Sequence, residues 1–221
     1  MSASPLAGKR IVLGVTGGIA AYKAIEVVRR LVDAGAHVVP IMTDAAQHFV
    51  GTTTLSALAS EPVQTELWHN AATPIPHTSV GQGADLIIVA PATAKSIAAY
   101  RMGYSHDLLQ NTLIATRAPV MICPAMHTEM WEHPSVVDNI AVLRARGVHI
   151  VEPESGRLAG GDEGAGGDGR ARFHRHRQPA RGAGARQQPR KHARARGTDP
   201  GRPAAPRVHR AHGSELTLPV Y

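Results

Sequence analysis

The sequence has little of what defines several other classes of protein. Cys123 is the single cysteine among 221 residues, which excludes an intramolecular disulfide framework and favours a reducing, cytoplasmic setting. No run approaches the roughly 18 consecutive apolar residues of a membrane-spanning helix, so no membrane partner is predicted. The N-terminal MSASPLAGKR lacks the apolar core of a secretory signal. Residues 1–8 are therefore predicted to be a disordered leader.

An excess of positive charge is absent from most of the chain, although the formal net charge is +7. Residues 1–169 carry 11 Lys and Arg against 15 Asp and Glu, whereas residues 170–221 carry 13 against 2. The basic character therefore belongs to the last quarter alone. The mildly acidic body gives no indication of a phosphate-backbone partner, so nucleic-acid binding is not expected.

What is present is an alternation of apolar β-branched runs with helical apolar spacing. Continuous apolar strands separated by helices predict an α/β domain, with a doubly wound, Rossmann-like or flavodoxin-like parallel sheet covered by helices on both faces. The predicted strands are residues 10–15, 37–43, 84–90, 119–123 and 148–153, and the predicted helices are residues 19–34, 45–50, 52–59, 95–102, 107–116 and 136–146.

The carboxyl ends of these strands carry small and hydroxyl residues, each followed by a helix. Ligands of doubly wound sheets bind at this edge. The ends read TGG at residues 16–18, TDAAQHF at 43–49, PATAKS at 91–96 and PAMHTEMW at 124–131. A glycine pair after a first strand can simply form a tight turn, and TGG is not a G-x-G-x-x-G fingerprint. Four matching strand ends favour a phosphate-bearing cofactor, with helix N–H groups aimed at the anion.

Four segments in this order carry a specific resemblance: GVTGGIAAYKA, PHTSVGQGADLIIVAPATAKSIA, DLLQNTLIATRAPVMICPAMHTEMW and SGRLAGGDEGAG. They resemble the flavin-dependent phosphopantothenoylcysteine decarboxylases, which in bacteria usually form the N-terminal half of a bifunctional coenzyme A biosynthesis protein. The resemblance covers residues 9–166, which we take as one flavoprotein domain. It implies FMN as the cofactor, a homotrimer or a trimer-based higher oligomer, and no metal. The ligase half of the bifunctional protein is not expected in this chain.

The resemblance also implies roles for individual residues. The cofactor-binding residues that it implies for FMN are Gly17, Gly18, Ile19, Thr43, Thr93, Ala94, Lys95 and Ser96. His77, in a predicted polar loop before the third strand, is the expected catalytic residue, because a histidine of near-neutral pKa can manage the thiol proton of 4′-phosphopantothenoylcysteine. Oxidation of that cysteine end by hydride transfer to the flavin gives a thioaldehyde, whose decarboxylation leaves an enethiolate, and return of the hydride from the flavin gives 4′-phosphopantetheine.

The block after the fourth strand is expected to bind the substrate through Ala125, Met126 and His127. Relatives usually carry an asparagine at position 127, which hydrogen-bonds the substrate carboxylate; imidazole keeps a donor but changes its geometry. Met126, Met130 and Trp131 are predicted to pack the pocket wall, and for Met130 and Trp131 a plain core position is the favoured interpretation.

Two departures from the family pattern are visible. Many relatives have a cysteine in the mobile lid that serves the final reduction, whereas this chain has Gly160, and Cys123 is predicted to be a small buried residue and not its substitute. Related enzymes that decarboxylate peptidyl cysteine also lack the lid cysteine and stop at the enethiol.

A flavin prenyltransferase and a non-catalytic flavin-binding or regulatory subunit are further alternatives. P-A-M-x-x-x-M-W with His77 argues against the former, and retained His77 disfavours the latter.

The second departure is the segment after Gly166, which is rich in Arg, Gly, Ala, Pro and His and has almost no apolar periodicity. Residues 167–221 are predicted to be a disordered tail. Either the tail is a basic arm for nucleic acid or it is out-of-frame coding, and the second is favoured. With assumed codons GAT GGC CGA GCC CGA for residues 168–172, the shifted frame reads Met-Ala-Glu-Pro, as expected of the family lid.

Overall fold

The computed structural model describes residues 4–68, 74–157 and 163–167. Its centre is a five-stranded parallel sheet with the strand order β2-β1-β3-β4-β5. This order confirms the predicted α/β, doubly wound parallel sheet and is the flavodoxin-like arrangement. The strands are β1 Arg10–Val15, β2 His37–Met42, β3 Leu86–Ala92, β4 Val120–Pro124 and β5 His149–Ile150.

Helices connect the strands, and an antiparallel pair follows the sheet. Two 3-10 helices, Ile19–Lys23 and Asp44–His48, follow β1 and β2 directly. The α-helices are α1 Ala24–Asp33, α2 Thr52–Leu58, α3 Pro76–Gly83, α4 Ala94–Met102, α5 Leu108–Ala115, α6 Thr128–Trp131 and α7 Pro134–Ala145, and the antiparallel strands are β6 Glu154–Arg157 and β7 Glu163–Gly167.

The register of the sheet decides which side chains share a face. Val12 pairs with Ile87, which pairs with Val120, and all three belong to one buried apolar cluster. Right-handed crossovers place α1 on one face and the helices between β3 and β5 on the other, because the chain moves in opposite directions from β1 to β2 and from β3 to β5, and α2 packs against α1. In agreement, α3 packs on α5 and α4 packs on α7.

Several predicted segments differ from the structure: the strand predicted over residues 148–153 is the two-residue β5, and the helix predicted over residues 45–50 is the 3-10 helix Asp44–His48. The helix predicted over residues 19–34 is divided into a 3-10 turn and α1, and Ile19 and Tyr22 are 60% and 56% exposed. This turn follows β1 at the sheet edge, so the apolar spacing there does not correspond to a buried face. The predicted polar loop around His77 is instead α3, because Pro76 in its first turn has a φ suited to a helix start.

The ends of the chain bear on the predicted domain limits. The described part of the predicted leader forms a turn in which Leu6 is buried and the Gly8 N–H donates to the Gly35 carbonyl at 2.9 Å. Residues 168–221, which hold nearly all of the predicted tail, and Gly160 lie outside the described residues. The boundaries at residues 9 and 166 stay predictions. Within the described residues, no helix combines the length and the apolar character that crossing a membrane requires.

Candidate functional site

The carboxyl ends of β1 and β3 are joined at the point where the strand order reverses, which is where doubly wound sheets bind ligands. Thr16 directly follows β1 and is 1% exposed. Its hydroxyl donates to the Pro91 carbonyl at 2.8 Å and accepts the Thr93 N–H at 3.0 Å. Thr16 is missing from the predicted cofactor-binding set, although a hydroxyl between an apolar strand and two glycines is the signal that could have indicated it.

The loop after β3 is held by its own hydroxyls and by a buried amide. Thr93 caps α4, since its side chain accepts the Ser96 N–H at 3.4 Å. Gln110, which is fully buried in α5, donates from Nε2 to the Ser96 carbonyl at 3.3 Å. Between Thr93 and Ser96, Ala94 is half-buried and Lys95 is exposed. Gln110 is a second residue that positions this loop and that is absent from the predicted site. The signal that could have indicated it is an amide side chain among the apolar residues of a helix.

The two glycines after β1 differ in what surrounds them. A Cβ on Gly17 would stand 2.3 Å from the Ala45 Cβ and 2.6 Å from the Ala45 carbonyl carbon, so Gly17 lets the ends of β1 and β2 approach. A Cβ on Gly18 would meet nothing nearer than the Thr93 Cγ2 at 3.5 Å, an ordinary contact. Ile19 follows as the exposed first residue of the 3-10 helix. Packing therefore requires glycine at position 17 only.

Thr43 stands at the end of β2 with an unsatisfied hydroxyl. It precedes the 3-10 helix Asp44–His48, and its side chain makes no cap hydrogen bond. Its Oγ1 is buried and has no hydrogen-bond partner among the described residues. Leaving a buried hydroxyl unpaired costs roughly 1–3 kcal/mol. The first N–H groups of a helix also lack partners within the helix, so this edge offers donors to an anion.

The block after β4 is attached to the same edge. The Ala125 N–H donates to the Ala92 carbonyl at 3.2 Å, which places the block beside the Thr93 loop. Met126 is half-buried and packs against the main apolar cluster. His127 precedes α6, is exposed, and its Nδ1 lies 2.5 Å from the Glu129 Oε2.

The predicted core position fits Trp131 and is wrong for Met130, and the place of these residues in the pocket wall stays a prediction. Trp131 is half-buried and packs against the main apolar cluster, whereas Met130 is 47% exposed. The helix α6 is a single turn at the edge of the sheet, so its successive side chains cannot all face the core. The core interpretation of Met130 is therefore corrected.

His77 lies at the start of α3. This end of the helix is nearer the carboxyl edge of the sheet, because the other end of α3 leads directly into the amino end of β3 at the opposite edge. The residue is half-buried, and its Nδ1 is buried without a hydrogen-bond partner among the described residues. No hydrogen bond within the described part of the chain joins His77 to Thr16, Thr93 or His127. Hydrogen bonds thus join the strand-end residues to one another, and none of these bonds includes His77 among the described residues.

A cleft opens between the first helices and the ends of β3, β4 and β5. Cys123 lines it and is half-buried, and desolvation raises the pKa of its thiol to about 12, so the sulfur stays protonated. Lys23 and Glu152 also line the cleft, and Ala125 belongs both to it and to the block after β4. Sequence reasoning missed this cleft because its lining comes from segments far apart in the chain.

Among curated proteins, the chain is 51% identical over 158 residues to the coenzyme A biosynthesis bifunctional protein CoaBC of Mycobacterium tuberculosis, covering 72% of this chain and 38% of that protein. It is 47% identical over 162 residues to CoaBC of Escherichia coli strain K12, covering 73% of this chain and 40% of that protein. The chain therefore spans about two fifths of the length of these relatives.

Two solved structures are also similar. The FMN-dependent cysteine decarboxylase SpaF superposes with a TM-score of 0.65 at 30% identity, covering 68% of this chain and 87% of that one. A PPC decarboxylase mutant complexed with pantothenoylaminoethenethiol superposes with a TM-score of 0.64 at 25% identity, covering 72% and 90%. A family model described as Flavoprotein matches residues 2–170, which is more than half of the sequence. The chain belongs to the Flavoprotein family.

Proposed function

We propose that the strand ends of this chain bind FMN. The observation that carries the proposal is the buried Thr43 hydroxyl, which has no partner among the described residues and lies at the same edge as the Thr16–Thr93 bonds and the close turn at Gly17. A phosphate oxygen would accept hydrogen bonds from that hydroxyl and from the first N–H groups after Gly18. The Thr93–Ser96 loop supplies further hydroxyls, and similarity to FMN-dependent proteins supports the choice of flavin.

We further propose that the chain decarboxylates 4′-phosphopantothenoylcysteine to 4′-phosphopantetheine. Bound FMN would supply a two-electron acceptor that takes a hydride from the substrate and later returns it. His77 is the proposed base for the thiol proton, since it is half-buried and its buried Nδ1 has no hydrogen-bond partner among the described residues. His127 is the proposed donor to the substrate carboxylate, with Ala125 and Met126 shaping the site around it.

The cleft beside Ala125 can receive the remainder of this substrate. Most of its lining residues are small or apolar, and Lys23, which lines the cleft together with Glu152, would supply a positive charge for a phosphate. A decarboxylase of peptidyl cysteine is the second candidate, because Gly160 stands where a lid cysteine is expected and SpaF is similar in structure. The two candidates differ in product, since the second stops at an enethiol.

An oligomer and a cytoplasmic location are part of the proposal. Ile19 and Tyr22 are exposed apolar side chains next to the strand-end site, and neighbouring exposed apolar residues are typical of a surface that binds a ligand or another subunit. A homotrimer, in which a second copy covers these residues beside the flavin, is the expected assembly.

Reconstitution with FMN followed by product analysis tests the proposal. The purified chain should bind FMN and show absorption bands at about 370 and 450 nm. Mass analysis after incubation with 4′-phosphopantothenoylcysteine should show loss of CO2, and the product mass separates the saturated thiol from the enethiol. Absence of FMN binding by the folded chain would exclude both candidates, and turnover of a cysteine-terminated peptide alone would favour the second.

A further inference from the structure

Gln110 in α5 is a buried amide with one polar end bonded and the other, among the described residues, unpaired. The residue is 0% exposed, and its Nε2 donates to the Ser96 carbonyl at 3.3 Å. Its Oε1 is buried and has no hydrogen-bond partner within the described part of the chain. The amide cannot be turned round, because its oxygen would then face the Ser96 carbonyl and neither atom carries a proton to share.

Folding stability gives no reason for an amide at this position. A hydrogen bond between neutral buried groups contributes modestly to stability, whereas a buried acceptor that is left unpaired costs at least as much. A side chain of similar volume without these polar atoms, such as methionine, would avoid that cost. The contact that the amide makes with Ser96 therefore explains its presence better than the free energy of folding does.

The bonded end of the amide reaches the loop that is proposed to hold the FMN phosphate. Asp107 caps α5 by accepting the Gln110 N–H at 2.7 Å, so the backbone that carries the amide is fixed. Ser96 lies in the first turn of α4 and is 9% exposed, and the Thr93 hydroxyl donates to its Oγ at 3.3 Å. A hydroxyl that accepts in this way keeps its own proton for a further acceptor, such as a phosphate oxygen.

We propose that Gln110 is a positioning residue for the cofactor phosphate, which fixes the first turn of α4 so that the Ser96 hydroxyl donates to the phosphate of FMN. The inference rests on the proposed function, because it takes Ser96 as a phosphate ligand. Gln110 does not touch the cofactor and acts on it only through Ser96. It follows that Gln110 increases the preference of the site for FMN over a flavin without a phosphate, and that it lowers the stability of the apoprotein or leaves it unchanged.

Riboflavin, which is the same flavin without the phosphate, separates this role from a purely structural one. Fluorescence titration should show that the wild-type chain binds FMN more tightly than riboflavin. Gln110→Met should reduce FMN affinity by roughly three- to tenfold, the effect of losing about one hydrogen bond, and leave riboflavin affinity unchanged. Thr112→Val is the matched control, because Thr112 is a buried polar residue of α5 whose hydroxyl donates to the Leu108 carbonyl of the same helix. It should lower neither affinity.

Urea unfolding and a double mutant complete the test. The Gln110→Met apoprotein should unfold at the same urea concentration as wild type or at a higher one, because the variant lacks the unpaired acceptor. In the Ser96→Ala background, Gln110→Met should cause no further loss of FMN affinity, since the effects of two residues that act through each other are not additive.

Failure of the inference and failure of the proposed function give different results. A folded wild type that binds FMN and riboflavin equally, or binds neither, refutes the proposed phosphate site and this inference with it. A wild type that prefers FMN refutes the inference alone in any of four cases: Gln110→Met keeps the full preference, it weakens both flavins equally, it is less stable than wild type, or it lowers FMN affinity as much in Ser96→Ala as in wild type.

Discussion

The Thr93 N–H donates to the Thr16 hydroxyl at 3.0 Å, across 77 residues of sequence, and so ties the carboxyl ends of β1 and β3. The same hydroxyl donates to the Pro91 carbonyl. Thr16→Val keeps the shape of the side chain but leaves the Thr93 N–H without this acceptor, while the Pro91 carbonyl keeps only the longer bond from the Thr16 N–H at 3.3 Å. We expect it to lower the free energy of unfolding by about 1–3 kcal/mol and to weaken FMN binding. Urea unfolding and fluorescence titration measure these effects. Thr16→Ser, which keeps the hydroxyl, should lie close to wild type; equal loss in both variants would contradict this role.

Gly17 and Gly18 form a matched pair. Gly17→Ala should destabilise the apoprotein by about 1–3 kcal/mol, because its Cβ meets the Ala45 backbone. Gly18→Ala should leave apoprotein stability nearly unchanged, because its Cβ finds an ordinary contact. If Gly18 faces the phosphate as proposed, Gly18→Ala should still reduce FMN affinity. Thermal unfolding of both apoproteins measures the effect on stability, and FMN titrations measure the effect on affinity. A Gly18→Ala protein that binds FMN normally would remove Gly18 from the site.

Thr43 should show opposite effects on stability and on binding. Thr43→Val removes a buried hydroxyl that has no described partner, so the apoprotein should be as stable as wild type or more so. FMN affinity should fall about tenfold or more, the effect of losing one hydrogen bond to a charged group. Thr43→Ser is the control that restores the hydroxyl. Unchanged FMN affinity in Thr43→Val would show that the hydroxyl does not face the phosphate.

Much of this architecture is readable from the sequence because local patterns determine it. The buried β-branched strands, such as β3, show the apolar runs of a parallel sheet. Right-handed crossovers then determine the face of the sheet on which each connecting helix lies. The segment at His77 was harder to predict, since PHTSVGQG has the composition of a loop and becomes a helix by packing against α5. Tertiary contact overrides weak local propensity there.

Parts of the site could not be predicted because they depend on contacts between distant segments. The role of Gln110 follows from its bond to the Ser96 carbonyl, 14 residues earlier in the chain. The exposure of Met130 follows from the position of α6 at the edge of the sheet and not from the hydrophobicity of its side chain. The pairing of His127 with Glu129 is local, yet an i, i+2 spacing has no general meaning without the geometry of the turn.

The acid stability of the domain should depend on Glu61. Burial raises the pKa of this carboxyl, but hydrogen bonds from Arg10 at 2.5 Å and His37 at 2.8 Å outweigh it and hold the pKa below its usual range. A carboxyl with a lowered folded-state pKa stabilises the fold fully above its unfolded pKa, and this contribution is lost as the pH falls through the folded value.

Glu61→Gln should therefore reduce the free energy of unfolding at neutral pH and flatten its decline on acidification. Urea unfolding of both proteins between neutral pH and about pH 3 measures the difference, which should shrink as Glu61 becomes protonated in wild type. A constant difference over that range would show that Glu61 contributes by packing and not by its charge.

Release of CO2 from 4′-phosphopantothenoylcysteine by the FMN-loaded chain, compared with its His77→Asn variant, tests the central claim most directly. His77→Asn should bind FMN as wild type does, because His77 forms no hydrogen bond with the strand-end residues among those described. Its CO2 release should fall by at least about 10²-fold, the contribution typical of a general base. Equal CO2 release by the two FMN-loaded proteins would contradict the catalytic assignment, and none from the wild type would contradict the proposed decarboxylase activity.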